Sequence, residues 1–150
     1  DVVREAVDQA QFSSEQRAIS LEIGEVEDAT VIGDRDQLIT AVHNLIENAV
    51  SYSPEHTKVS IVTKQSGDIV EISVTDQGIG IAEENLNRIF ERFYRVDPAR
   101  SRLTGGTGLG LSIVKHIALN HGGDVKVWSK VGVGSTFTLQ LPLAREDESS

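Results

Sequence analysis

The 150-residue sequence contains no cysteine and no methionine, and it has only three prolines and one tryptophan. Without cysteine the chain can form no disulfide, no thiolate nucleophile and no cysteine-based metal site. Because methionine is missing even from position 1, we expect the sequence to be a piece of a longer protein. No run of 18 apolar residues occurs and no signal-peptide pattern opens the sequence, so it predicts no membrane-spanning helix.

Positive charge is also scarce: 14 Lys and Arg residues stand against 23 Asp and Glu residues, which gives a net charge of −9. Nucleic acid and anionic membrane surfaces both require clustered basic side chains, so we predict that this domain contacts neither. The remaining composition, 39% hydrophobic and 25% charged, is typical of a folded globular protein. The length suits one domain, 1–150, with a core of its own.

Hydrophobic spacing switches between the helical and the strand period along the chain. Helical spacing is found over 1–16, 34–53, 83–93 and 108–121, and strand-like spacing over 18–23, 30–34, 58–65, 68–76, 124–129 and 135–142. Asp34 is placed to cap the second helix, and Gly122 and Gly123 to end the last one. The strands 58–65 and 68–76 adjoin at a glycine and are predicted to form a hairpin. This order predicts an α/β two-layer sandwich, with a mixed, mostly antiparallel sheet and helices packed on one face.

A glycine-rich segment, GGTGLGLS at residues 105–112, precedes the last helix. The P-loop pattern would need lysine at position 111, which is Leu111, and the dinucleotide pattern would need a preceding strand and another glycine spacing. More generally, glycines ahead of a helix let backbone N–H groups approach a phosphate at the positive end of the helix. From this segment alone, a phosphate site and a flexible loop remain equally open.

A second glycine-containing segment, TDQGIGI at residues 75–81, ends a predicted strand. Alternation puts the apolar residues of 68–76 on one face, and Asp76 continues that parity, so it should point inward. A buried carboxylate is costly unless a donor satisfies it, and the amino group of adenine is such a donor. Gly78 and Gly80 would let the backbone approach a planar ligand. The alternative is an ordinary turn in which Asp76 bonds its own backbone.

The helix predicted over 34–53 carries two asparagines four residues apart. At about 100° per residue, Leu45 lies at the centre of an apolar stripe. The stripe is completed by Leu38, Ala41, Val42 and Ala49. Asn44, Asn48 and Ser51 fall together along one edge of it. Asparagine has no propensity reason to occupy a helix interior, so the pair is a candidate to bind a metal ion or a ligand, with surface asparagines as the alternative.

Five short segments resemble, in order and spacing, the sequence boxes of bacterial sensor histidine kinases. They are NLIENAVSYS (44–53), DQGIGI (76–81), IFERFYR (89–95), GTGLGL (106–111) and GVGSTF (132–137). The resemblance covers essentially the whole chain. The sequence is similar to the catalytic ATP-binding domain of those kinases, within the superfamily that includes gyrase, heat-shock chaperones and mismatch-repair ATPases.

The resemblance implies that ATP and Mg²⁺ bind in one pocket. Asn48 would bind the Mg²⁺ that bridges the phosphates, with Asn44 assisting. Asp76 would accept a hydrogen bond from the adenine amino group, with Thr136 nearby, and residues 94–107 would form a lid over the nucleotide. The other positions implied to bind the nucleotide are Tyr52, Gly78, Gly80, Gly106, Thr107, Gly108, Leu109 and Gly110.

For phosphoryl transfer, the resemblance implies that Arg92 and Arg95 stabilise the transferring group and that Asn44 belongs to the catalytic set. ATPases of the superfamily carry glutamate at the position of Asn44, and Glu47 points away on the helical wheel. Without a general base to activate water, we expect ATP hydrolysis to be slow. Ser51 departs from the lysine that many family members carry.

Three basic residues are candidates to replace the missing lysine: Arg100, Arg102 and Lys115.

The histidine that accepts the phosphoryl group belongs, by resemblance, to a separate dimerisation domain of the same parent protein, and a response regulator follows. None of the four histidines here has the acidic neighbour of that acceptor, so the chain should not phosphorylate itself. We expect a cytoplasmic domain of a parent anchored in the bacterial inner membrane. The alternatives are a regulatory nucleotide-binding module without transfer activity and an anti-sigma serine kinase, although the latter keeps the glutamate.

Overall fold

A computed structural model of the chain describes residues 2–26, 33–51, 53–78, 80–81, 86, 89 and 110–142. Within these ranges lie three helices and five strands. The helices are α1 (Val2–Gln16), α2 (Arg35–Ser51) and α3 (Gly110–Asn120). The strands are β1 (Ser20–Val26), β2 (Lys58–Ser66), β3 (Ile69–Thr75), β4 (Asp124–Lys130) and β5 (Gly134–Pro142).

The strands form one sheet in the order β1-β2-β3-β5-β4. Only β1 and β2 run parallel, and the other three pairs are antiparallel. All three helices contact the sheet. Buried apolar residues alternate along β2, β3 and β5, while the other face of the sheet carries paired hydroxyls such as Thr75 with Thr136 (Oγ1 to Oγ1, 3.0 Å). The predicted two-layer sandwich with a mostly antiparallel sheet is therefore confirmed.

The helix ends follow their predicted signals. The Asp34 carboxylate accepts a hydrogen bond from the N–H of Gln37 (3.1 Å), which satisfies one of the free N–H groups at the start of α2. α3 ends where Gly122 adopts a φ of 76° and the N–H of Gly123 donates to the carbonyl of Ala118 (2.9 Å). This is the left-handed helix stop for which glycine is suited. The predicted segments 83–93 and 94–107 lie, apart from Leu86 and Ile89, outside the described residues.

The core lies between the sheet and the helices, and α2 is its central element. The stripe predicted around Leu45 is buried in full. Three further residues of α2 are also buried, namely Ile39, Ile46 and Val50, because α1 and α3 both contact this helix. Helical spacing puts Leu109, Ile113 and Ile117 on one face of α3; of these, Ile117 is buried, Ile113 is 39% exposed, and Leu109 lies outside the described residues. The buried residues of α3 are Val114, Ile117 and Ala118.

Candidate functional site

The Asp76 carboxylate lies at the junction of β3 and β5, on the helix side of the sheet. Asp76 as a whole is 6% exposed, as the alternation along β3 predicts. Oδ1 accepts two backbone hydrogen bonds, from Gly78 N–H (2.9 Å) and from Ser135 N–H (3.1 Å). The N–H of Asp76 in turn donates to the carbonyl of Ser135 (2.9 Å). The structure thus shows that Asp76 is buried and that it bonds its own turn, while its contact with adenine stays a prediction.

Burial raises the pKa of Asp76 above its ordinary range, and the backbone hydrogen bonds from Gly78 and Ser135 offset only part of that rise. In the described part of the chain both of these bonds go to Oδ1. Oδ2 is therefore the oxygen to which a ligand with an N–H donor can bind. A donor there would favour the charged carboxylate and lower its free energy in the buried site.

Sequence reasoning missed two residues beside Asp76. Ser135 supplies one of its two donors, and Gly134 packs beneath it, since a Cβ on Gly134 would overlap the Asp76 carbonyl oxygen. The GVGSTF segment was the sequence feature that could have indicated these residues. Only the pairing of β3 with β5 shows which of its residues contacts Asp76. Thr136, the expected neighbour, is not brought there: its hydroxyl bonds Thr75 on the opposite face of the sheet.

The loop after Asp76 is fixed against the β4–β5 hairpin. Gly80 has a φ of 78°, and a Cβ there would collide with the backbone of Lys130 and Val131. The N–H of Ile81 donates to Ser129 Oγ (2.6 Å). Gly80 is thus required by this close approach of two backbone segments, and its contact with a base stays a prediction.

The two asparagines lie half-buried on α2, as the helical wheel predicts. Gly110, the first residue of α3, lies beside Asn44, because a Cβ on Gly110 would be 4.0 Å from both Cβ and Cγ of that asparagine. The positive N-terminal end of α3 therefore adjoins the polar edge of α2. α2 also contacts β3, the strand that Asp76 directly follows.

The remaining predicted site residues fall outside the described part of the chain. They are Tyr52, Arg92, Arg95, Gly106, Thr107, Gly108 and Leu109. Their contacts stay predictions, as does the lid expected over 94–107.

The described residues include no group of three or more His, Cys, Asp or Glu side chains that could hold a metal ion. A metal bound at Asn44 and Asn48 would therefore take most of its ligands from a bound nucleotide and from water. Mg²⁺ commonly binds in this way, with few protein ligands and several phosphate oxygens or waters. The asparagine oxygens fit that ion.

Lys115, a candidate for the missing phosphate contact, bonds elsewhere. Its Nζ lies 2.5 Å from Oδ1 of Asp124, at the start of β4, and Lys126 lies 3.3 Å from the other carboxylate oxygen. Two hydrogen bonds lower the pKa of Asp124 to about 2: the larger effect comes from Lys115 and the next from the backbone N–H of Val125. This ion pair ties α3 to the sheet.

We expect the Asp124 pair to give an acid-sensitive contribution to stability. Because its folded-state pKa lies below the ordinary 3.8, the contribution is present above pH 4 and is lost as the pH falls towards 2. The Asp124 side chain is 31% exposed, so Asp124→Asn should cost no more than about 1 kcal/mol at pH 6. Thermal melts at pH 6 and at pH 2.5 measure the difference, with the exposed turn residue changed in Asp68→Asn as control. A cost that is equal at both pH values would contradict the expectation.

No helix among the described residues is both long and apolar enough to cross a membrane.

Comparisons with known proteins identify the family and the fold of the chain. Residues 33–145 match the family model described as histidine kinase-, DNA gyrase B- and HSP90-like ATPase. The chain is 50% identical over 148 residues to the sensor-like histidine kinase SenX3 of Mycolicibacterium smegmatis, covering 99% of this chain and 38% of the relative. The chain thus spans well under half the length of that protein.

Two solved structures have the same fold. The mycobacterial sensor histidine kinase MprB superposes with a TM-score of 0.80 at 32% identity, covering 95% of this chain and 92% of that one. Full-length ShkA, solved in complex with AMPPNP, superposes with a TM-score of 0.81 at 27% identity, covering 95% of this chain and 29% of that one.

Proposed function

Because the chain belongs to the family of histidine kinase-, DNA gyrase B- and HSP90-like ATPases, we propose that it binds ATP with Mg²⁺ and donates the γ-phosphoryl group to a histidine. That histidine lies on a separate dimerisation domain of the same parent protein, and the group then passes to a response regulator. The parent is anchored in the bacterial inner membrane, with this domain on the cytoplasmic side. The buried Asp76 carboxylate, held through one oxygen, is the observation that carries the proposal.

At the adenine end, Asp76 is the specificity residue. Backbone donors from Gly78 and Ser135 hold Oδ1, so the carboxylate cannot rotate without losing two hydrogen bonds. Oδ2 then accepts from the exocyclic amino group of adenine. A 6-oxo purine would place an acceptor against this carboxylate, which leaves a buried polar group unpaired and is strongly disfavoured.

At the phosphate end, Asn48 and Asn44 supply amide oxygens, and the N-terminus of α3 supplies partial positive charge. Asn48 and Asn44 would hold Mg²⁺, which would supply positive charge to neutralise the charge that builds up during transfer. Arg92, Arg95 and residues 106–109 lie outside the described residues, and by resemblance to the family they would contact the transferring group and the phosphates. The geometry of Gly110 beside Asn44 supports this placement.

The transfer needs no base from this chain. A neutral imidazole nitrogen of the acceptor attacks the γ-phosphorus, the bond from that phosphorus to the bridging oxygen breaks, and ADP leaves. Asn44 cannot take a proton from water, and Glu47 is occupied by His43, whose Nε2 lies 3.3 Å from Oε1. ATP therefore survives until an acceptor docks.

None of this chain's histidines suits the acceptor role. His121 uses both ring nitrogens, with Nδ1 at 2.8 Å from the Ile117 carbonyl and Nε2 accepting the N–H of Asp34 (3.0 Å). His43 pairs with Glu47. None of the chain's four histidines is followed in the sequence by the Glu or Asp that follows the family's acceptor histidine.

We predict that the chain incubated alone with γ-labelled ATP acquires no label. Adding a dimerisation domain with an intact acceptor histidine should place acid-labile, base-stable label on that domain. The measurement is autoradiography after gel electrophoresis, with a histidine-to-glutamine acceptor domain as control. A stable acid-labile phosphoprotein formed by the chain alone would refute the prediction. Nucleotide binding without any transfer to the intact acceptor would instead favour the regulatory module.

A further inference from the structure

The C-terminal turn of α2, which carries Asn48 and Ser51, is held by an arginine from another helix. Arg17 follows the last residue of α1 and donates from Nε to the carbonyl of Val50 (3.1 Å) and from Nη2 to the carbonyl of Ser53 (3.2 Å). These bonds join residues 33 and 36 positions apart in the chain. The guanidinium thus bridges the end of α2 and the turn that follows it.

The end of a helix needs such partners, because its last carbonyls have no intrahelical donor. At the end of α2, Ser53 Oγ donates to the carbonyl of Ala49 (2.7 Å), and Arg17 serves the next carbonyl, that of Val50. A fixed cation at this position also interacts favourably with the negative end of the helix dipole. Ser53 Oγ and the N–H of Ser53, which donates to the Val50 carbonyl (3.4 Å), hold the turn from within, and Arg17 holds it from outside.

Arg17 is itself held in place by the end of α1. Ala18 has a φ of 55°, and the N–H of Ile19 donates to the carbonyl of Ser14 (2.8 Å), which closes α1 in a left-handed stop. The Ala18 carbonyl accepts from the N–H of His56 (2.9 Å), beyond the end of α2. The guanidinium thus projects from a fixed backbone.

We propose that Arg17 is a positioning residue of the nucleotide site, acting through the last turn of α2 on the direction of Asn48 and Ser51. The inference rests on the proposed Mg²⁺-ATP site. Arg17 lies outside the region 33–145 that the family model matches. Its two hydrogen bonds to the end of α2 therefore make the phosphate-binding end of the site depend on the placement of α1. Lysine cannot replace it fully, because an ammonium lacks the planar fork that reaches two carbonyls.

The test compares nucleotide affinity with Mg²⁺ and with EDTA for the wild-type chain and Arg17→Gln. We expect Arg17→Gln to weaken Mg²⁺-ATP binding roughly ten-fold, because it removes two charge-assisted hydrogen bonds that fix the turn after Asn48. Binding in EDTA should change by less than about two-fold, since Asp76 is untouched. Arg17→Lys should fall in between, and amide exchange at 50–53 should be faster in both variants.

Two controls separate positioning from general loosening. Arg4→Gln removes the same charge from an exposed site on α1, and Val7→Ala weakens the α1 core contact without touching Arg17. Both should keep the wild-type ratio of the two affinities. Equal losses with Mg²⁺ and with EDTA, or an unchanged ratio in Arg17→Gln and Arg17→Lys, would overturn the inference while leaving the proposed function standing. A wild-type chain that binds no nucleotide would overturn both.

Discussion

Asp76→Asn will weaken ATP binding roughly a hundred-fold, the scale of a lost charge-assisted hydrogen bond together with an unpaired donor. The substitution is nearly isosteric, and the amide oxygen can still accept from Gly78 and Ser135. The amide NH₂ then occupies the position of Oδ2 and faces the adenine amino group, donor against donor. Isothermal titration of the variant with Mg²⁺-ATP measures the loss.

The fold of the Asp76→Asn variant should stay intact. Because the folded-state pKa of Asp76 is raised, the charged carboxylate lowers stability as the pH rises through that pKa, and a neutral amide removes this cost. The melting temperature at pH 7 should therefore be unchanged or higher. Asp68→Asn, at the exposed β2–β3 turn, is the matched control for affinity. Wild-type affinity in the Asp76→Asn chain would exclude Asp76 as the adenine ligand.

Asn48→Ala will remove most of the gain in ATP affinity that Mg²⁺ provides. The alanine lacks the amide oxygen, so we expect Mg²⁺-ATP to bind at least about ten-fold more weakly. Removing even an outer hydrogen-bond partner of a metal ligand commonly weakens metal binding by that factor. Binding in EDTA should be nearly unaffected. Titrations of the variant with ATP at a series of Mg²⁺ concentrations measure the change.

Two variants sharpen the test at Asn48. Asn48→Asp keeps an oxygen at the metal and should retain Mg²⁺-dependent binding, whereas Asn120→Ala changes an exposed asparagine at the end of α3 and should match the wild type. If Asn48→Ala keeps the full response to Mg²⁺, the metal binds elsewhere.

Features encoded within a few residues were predictable from the sequence. The cap at Asp34 and the stop at Gly122 depend on local hydrogen bonds and backbone angles, and both lie where the residue types indicate. The inward direction of Asp76 follows from the two-residue period of a strand. The polar edge formed by Asn44 and Asn48 likewise follows from the period of a helix.

Features that depend on the register between distant segments were not predictable. Ser135 rather than Thr136 meets Asp76 because β3 and β5 pair with Thr75 opposite Thr136, and a shift of one residue exchanges the two faces. The bond from Arg17 to the end of α2 gives no sequence signal at all, since it spans 33 positions.

The direct test of the nucleotide site is calorimetric titration of the unaltered chain with ATP, once with Mg²⁺ and once with EDTA. We expect one saturable site per chain, bound more tightly with Mg²⁺ than without it, and not competed by GTP at equal concentration. No binding heat with Mg²⁺-ATP, or an affinity that is the same in EDTA, would contradict a pocket built from Asp76 at one end and the α2 asparagines at the other.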